Sequence, residues 1–233
     1  NEALSATILN NLGNLLTVQK KYSEAIAAYR ESAALATLGN NPSLSAGAMI
    51  NAAVASIQDK QAGSAKALLD RASEQIQTLP PTHDKASGLI NIGLGFLSLR
   101  SSLPDAKDSF LLVAHQRFSE AGTVADAIGD RRVSSYAWGH LGKLYEEENR
   151  YPEALQLTRR AINAAQQVNA PESLYRWEWQ TGRLLTKLAS VDDALGAQVG
   201  RVVQTGHADD PLGDGLGDKT GDDIGLVVAG DGH

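Results

Sequence analysis

The 233-residue chain contains no cysteine. Disulfides, thiolate metal sites and a cysteine nucleophile are excluded within it, and the redox compartment stays open. Aromatic residues make up only 5 % and methionine occurs once. With so few large rings in an Ala- and Leu-rich chain, close helix–helix packing is favoured over sheets. No run of about 18 apolar residues exists to cross a membrane as a helix. No basic-then-apolar leader is visible either, so no signal peptide is read and the expected location is cytoplasmic. The chain opens on Asn1 rather than Met, which points to a piece of something longer. Cationic excess is missing too: the net charge of −6 argues against a general nucleic-acid binder.

Catalytic signatures are also absent. There is no G-x-S-x-G, no phosphate-binding G-x-x-x-x-G-K-S/T and no H-E-x-x-H. The histidines His83, His115, His140, His207 and His233 are scattered, and Glu146 with Glu147 reads as a solvated pair. No catalytic residue, cofactor or metal site is expected.

What the chain does have is an internal repeat. A small residue recurs inside apolar stretches at Gly13, Ala53, Gly93, Gly142 and Gly182, with steps of 40, 40, 49 and 40 residues. A second landmark follows about twelve residues later, at Ala25, Ala65, Ala106, Ala154 and Ala194. Small residues at fixed sites let antiparallel helices approach closely, while large residues opposite them fill the gap. Turn chemistry lies between, in "LGNNPS", "LPPTHD" and "VNAPES". Pro152 suits a first helical turn, and Ser190 with Asp193 suits a cap for the second helix of the fifth unit. The step of 49 predicts a second helix about two turns longer, kinked near Gly122; an inserted loop is the alternative.

The pattern resembles the tetratricopeptide repeat. The fourth unit matches best, with Trp138, Leu141, Gly142, Tyr145, Pro152, Ala154 and Ala161; the first gives Leu9, Leu12, Gly13, Leu16, Ala25 and Tyr29. The resemblance implies an all-α fold, a right-handed superhelical solenoid of about five helix-turn-helix repeats. They fall near 6–41, 46–82, 86–131, 135–170 and 175–204, within an array over 1–200.

Asparagine is a poor helix-interior residue, yet Asn11, Asn51 and Asn91 each stand two residues before the small landmark. His140 and Gln180 occupy the same place in the last two units. A carboxamide offers two donors and an acceptor, so an aligned row could hold the main chain of an extended peptide. Resemblance to arrays with a period near 40, such as that of kinesin light chain, implies such contacts for Asn11, Asn51 and Asn91. The alternative is that these amides bond to the neighbouring repeat. Flanking groove candidates are Asn14, Lys143, Trp179 and Arg183, with Arg176 and Lys187 at helical spacing. Trp138 and Trp177 are expected in the core. The expected partner is a protein or extended peptide with an apolar centre and an acidic end, not nucleic acid or membrane.

The run Ser173–Leu195 resembles the last repeat before the peptidase-like module of bacterial CHAT-domain proteins, through Tyr175, Arg176, Trp177, Trp179, Gly182, Arg183, Asp193 and Ala194. Their His–Cys dyad cannot be carried over to a chain without cysteine. The resemblance implies a recognition arm, or a structural arm positioning such a module. From Gly196 onward the composition shifts to ten glycines and seven aspartates against one Arg and one Lys. A disordered or irregular tail over 205–233 is expected; an artefactual end and an EF-hand-like calcium loop at Asp210, Asp214, Gly215 and Asp218 are the alternatives.

Overall fold

The computed structural model describes residues 2–205, with side chains described as far as Val191. The readings of the Gly/Asp-rich tail fall, from residue 206 on, outside the described residues. All regular structure within them is helical: α1 Glu2–Val18, α2 Tyr22–Leu38, α3 Pro42–Gln58, α4 Ala62–Gln77, α5 His83–Leu99, a 3-10 turn Pro104–Ala106, α6 Lys107–Ala127, α7 Arg131–Glu147, α8 Tyr151–Gln167 and α9 Pro171–Thr205. Within residues 1–190, four helix pairs and the first part of α9 make a helical-repeat solenoid. Residues Asn1–Ser190 form one compact unit, which holds all four helix pairs.

Six of the connections are three residues long and share one geometry. The middle residue is left-handed: Lys20, Asn40, Lys60, Gly129, Asn149 and Asn169, with φ between 48° and 74°. In each, the next N–H reaches back five residues to a helix carbonyl, as from Lys21 to Leu16, Asn41 to Ala36 and Asp130 to Ala125. This closure satisfies a carbonyl that a helix end would leave unpaired. Asn41, Thr82 and Asp130 cap the following helices through their side chains.

The core is built from small residues that admit large ones. A Cβ on Gly13 would fall 2.5 Å from the Tyr29 ring, and one on Gly93 would fall 2.7 Å from Phe118. Between consecutive first helices, Gly139 makes room for Trp177, which is 1 % exposed and donates its ring N–H to Ser135 Oγ at 3.0 Å. Trp138 packs over Gly122, with its ring N–H on Asp126 Oδ2 at 3.1 Å. Both tryptophans lie in the core, as expected.

Two expectations are corrected. The 49-residue step does not come from a helix two turns longer. α6 has 21 residues against 17 in α2 and α8, about one extra turn. The remainder lies in the longer connection over 100–106 with its 3-10 turn. The extra turn precedes the repeat register: Phe118 faces Gly93 as Tyr29 faces Gly13, four residues after Ala114 and Ala25 respectively. Ala114 is therefore the counterpart of Ala25, and Ala106 belongs to the 3-10 turn. The helix runs unbroken through Gly122. Ser190 does not cap a second helix; it lies inside α9 and donates to the Lys187 carbonyl at 2.9 Å. No proline interrupts 172–205, and the helix runs on through Gly182.

Candidate functional site

Two grooves open on the face built by the first helices of the pairs. One, of about 400 Å³, lies across α1, α3 and α5 and is lined by Thr7, Gly47, Asn51, Asp84, Ser87 and Asn91 over Ile50 and Ile76. Two ladder asparagines thus share one depression. Asn91 is exposed, whereas Asn51 is half-buried and donates to Asn10 Oδ1 at 3.0 Å. Asn11 is exposed but does not line this groove. Asn14 faces the second helix, accepting from the Tyr29 hydroxyl at 2.8 Å.

The other groove, of about 830 Å³, lies between α7 and α9. Its walls carry His140, Lys143, Tyr175, Arg176, Trp179 and Arg183, together with Glu146, Glu147 and Glu172. Trp179 is 64 % exposed on its rim. His140 stacks on Phe118 with ring centres 5.6 Å apart and meets Trp177 edge-on at 5.5 Å. Burial, then the charges of Arg176 and Lys143, lower its pKa to about 4, so the imidazole is neutral at pH 7. Gln180 is placed inside: it is buried and its amide donates to Thr158 Oγ1 at 2.8 Å, with a longer contact to the Gly139 carbonyl. Its amide nitrogen is thereby spent on joining α9 to α7 and α8. Composition alone does not reveal this, because both partners come from other helices.

The charges in this groove are largely paired. Arg183 grips Glu146 through two bonds of 2.8 Å, which holds the guanidinium more firmly protonated. Glu146 is only 16 % exposed, so it is no solvated surface acid. Glu147 pairs with Arg100 at 3.0 Å, and Glu172 pairs with Arg132. Among the described residues, Lys143 and Arg176 have no carboxylate partner. Arg176 lies 5.7 Å from the Tyr136 and Trp177 ring centres. The groove therefore offers two uncompensated cations beside an exposed indole. Sequence reasoning took Glu146 and Glu147 as solvated, because which cation each one neutralises is decided between repeats.

The geometry describes a helical-repeat protein with open grooves. Residues 5–41 and 137–172 each match family models of the tetratricopeptide repeat, which supports a tetratricopeptide repeat array. No curated protein matches the sequence. Among solved structures, BtubC (BKLC) from P. vanneervenii is similar at TM-score 0.66 and 17 % identity, covering 93 % of this chain and 86 % of that one. The apo form of RapI matches at 0.59 and 14 %, covering 84 % and 52 %. Aspartyl phosphate phosphatase F from Bacillus subtilis matches at 0.58 and 16 %, covering 90 % and 53 %. The chain spans about half the length of the last two. These likenesses concern the fold. No described helix is long and apolar enough to cross a membrane, and no described group of His, Asp or Glu is arranged to hold a metal ion.

Proposed function

We propose that the chain is a non-catalytic scaffold that binds an extended peptide or protein segment along its first-helix face. The observation carrying this reading is the α7–α9 groove, where the carboxylates are paired while Lys143 and Arg176 flank the exposed Trp179. Unpaired cations next to an indole suit a segment that places a carboxylate against the charges and an apolar side chain on the ring. Asn91, and Asn51 where it is not held by Asn10, add main-chain contacts in the α1–α3–α5 groove. Resemblance of Ser173–Leu195 to the repeat before a CHAT module makes such a recognition arm part of a larger bacterial protein.

The test uses a labelled peptide with an apolar centre and a Glu-rich end, followed by fluorescence anisotropy. Trp179→Ala and the pair Lys143→Gln, Arg176→Gln should each weaken binding at least tenfold without lowering the melting temperature. Raised salt should weaken it further. A Lys-rich counterpart that binds equally well overturns the reading. The second reading is a structural arm. It is favoured by the Asn51–Asn10 and Gln180–Thr158 bonds, and it predicts that Asn51→Ala lowers stability with no change in peptide binding.

A further inference from the structure

A third cleft lies between the second helices α2 and α4, over α3. It measures about 390 Å³, within the range of small-ligand sites. Its floor is apolar and buried: Met49, Ala52, Leu68 and Ala33 are each less than 9 % exposed. Its mouth carries Arg30 and Arg71, and no carboxylate lines it. Arg30 is held across the opening by donating to Ser64 Oγ at 2.7 Å, a neutral partner. Arg71 has no hydrogen bond or ion pair among the described residues. The buried hydroxyl at one end, Ser45, is already engaged by the Ala33 carbonyl, Thr37 and Gln75. The two guanidiniums are therefore the charged donors that face a ligand, with the Ser64 hydroxyl beside Arg30.

The next unit shows a counterpart whose charge is neutralised. In the register set by Ala65 and Ala114, Leu68 corresponds to Arg117 and Arg71 to Glu120. There the arginine pairs with the glutamate at 3.0 Å, and Glu120 also accepts from Gln77. Charge is neutralised within the protein, and an arginine stands where Leu68 forms the floor. In the α2–α4 cleft, alanines leave the space open and the cations unneutralised, in a chain of net charge −6.

We infer that the α2–α4 cleft binds a small amphipathic carboxylate, its charge between Arg30 and Arg71 and its apolar body on Met49 and Leu68. Planar guanidiniums grip a carboxylate through paired bonds, and the apolar floor contributes by removing hydrocarbon from water. The ligand bridges two second helices and so stabilises the array by mass action.

The experiment titrates the whole chain with octanoate, octanol and acetate, read by calorimetry and by thermal melting. Octanoate should bind at one saturable site and raise the melting temperature; octanol and acetate should bind at least tenfold more weakly. Arg30→Gln with Arg71→Gln should abolish the octanoate shift. Ala67→Leu, at an exposed position lining the mouth, should block binding by filling it while the unliganded protein melts normally. Failure of octanoate to bind, or equal binding by the double arginine variant or by Ala67→Leu, overturns the inference. Peptide binding in the α7–α9 groove should be unchanged in these variants, so the two sites fail independently.

Discussion

His140 shows how one side chain reports on its surroundings. Packed among Phe118, Tyr136 and Trp177, it faces Lys143 on its own helix and Arg176 on α9. Its pKa in the folded chain, about 4, lies below the ordinary histidine value of about 6.5. Between those values the unfolded chain takes up a proton that the native one refuses. The associated stability is thus complete above pH 6.5 and is lost as pH falls toward 4, by about 1–3 kcal/mol. Urea unfolding at pH 7 and pH 5 should show a loss in the native protein that His140→Phe removes; an equal loss in both assigns the acid sensitivity elsewhere. Asp126 is the natural comparator. Burial opposes its charge, but bonds from Ser134, Arg160 and Trp138 outweigh that cost and keep the carboxyl below its usual pKa. Its contribution is present above the ordinary carboxylate range and fades only in stronger acid.

At the level of the helix, packing pairs and turns make separate demands. Gly93→Ala places a Cβ 2.7 Å from the Phe118 ring and should cost about 1–3 kcal/mol. Phe118→Leu in the same chain should recover part of that loss, and absence of recovery would refute the register drawn through Ala114. Turns respond differently. Lys60 sits at φ 59°, which an L side chain resists, so Lys60→Gly should stabilise by about 0.5–1 kcal/mol after the glycine's entropy in the unfolded state is counted. A lower urea midpoint would contradict the shared turn geometry. The same two demands explain what the sequence disclosed. Leu-Gly pairs were legible because only a small residue admits a neighbouring ring, and Trp138 and Trp177 followed from the same logic. The left-handed geometry at Lys20 and Lys60 was not, because a left-handed lysine has no signature of its own. Ala106 was mistaken for Ala114 because both are alanines on a helical spacing. Gln180 looked like Asn51 in the alignment, and only Thr158 and Gly139, brought in from other helices, show it to be buried.

Across the whole array, each helix pair is stabilised chiefly by its neighbours, so stability is distributed by position rather than shared equally. α1 has a neighbour on one side and leaves Leu4, Ile8 and Leu15 exposed at 60 %, 58 % and 55 %. α3 packs between α1 and α5, and α5 between α3 and α7, with Gly88, Gly93 and Gly95 of α5 and Gly139 of α7 each meeting a side chain of another helix. Hydrogen exchange should therefore run fastest in α1 among α1–α8 and slowest in α5 and α7; uniform protection would mean a single cooperative unit instead. Ligand binding should respect the same locality. An acidic peptide held by Lys143, Arg176 and Trp179 draws α7 and the first turns of α9 together, at a junction already sealed by Gln180 and the Arg183–Glu146 pair. Its added protection should be largest in α7 and over 171–183 and should decay through α5 to nothing in α1. If protection rises as much in α1 as in α7, the peptide spans the full first-helix face, and the α1–α3–α5 groove with Asn91 carries as much of the binding as the aromatic one.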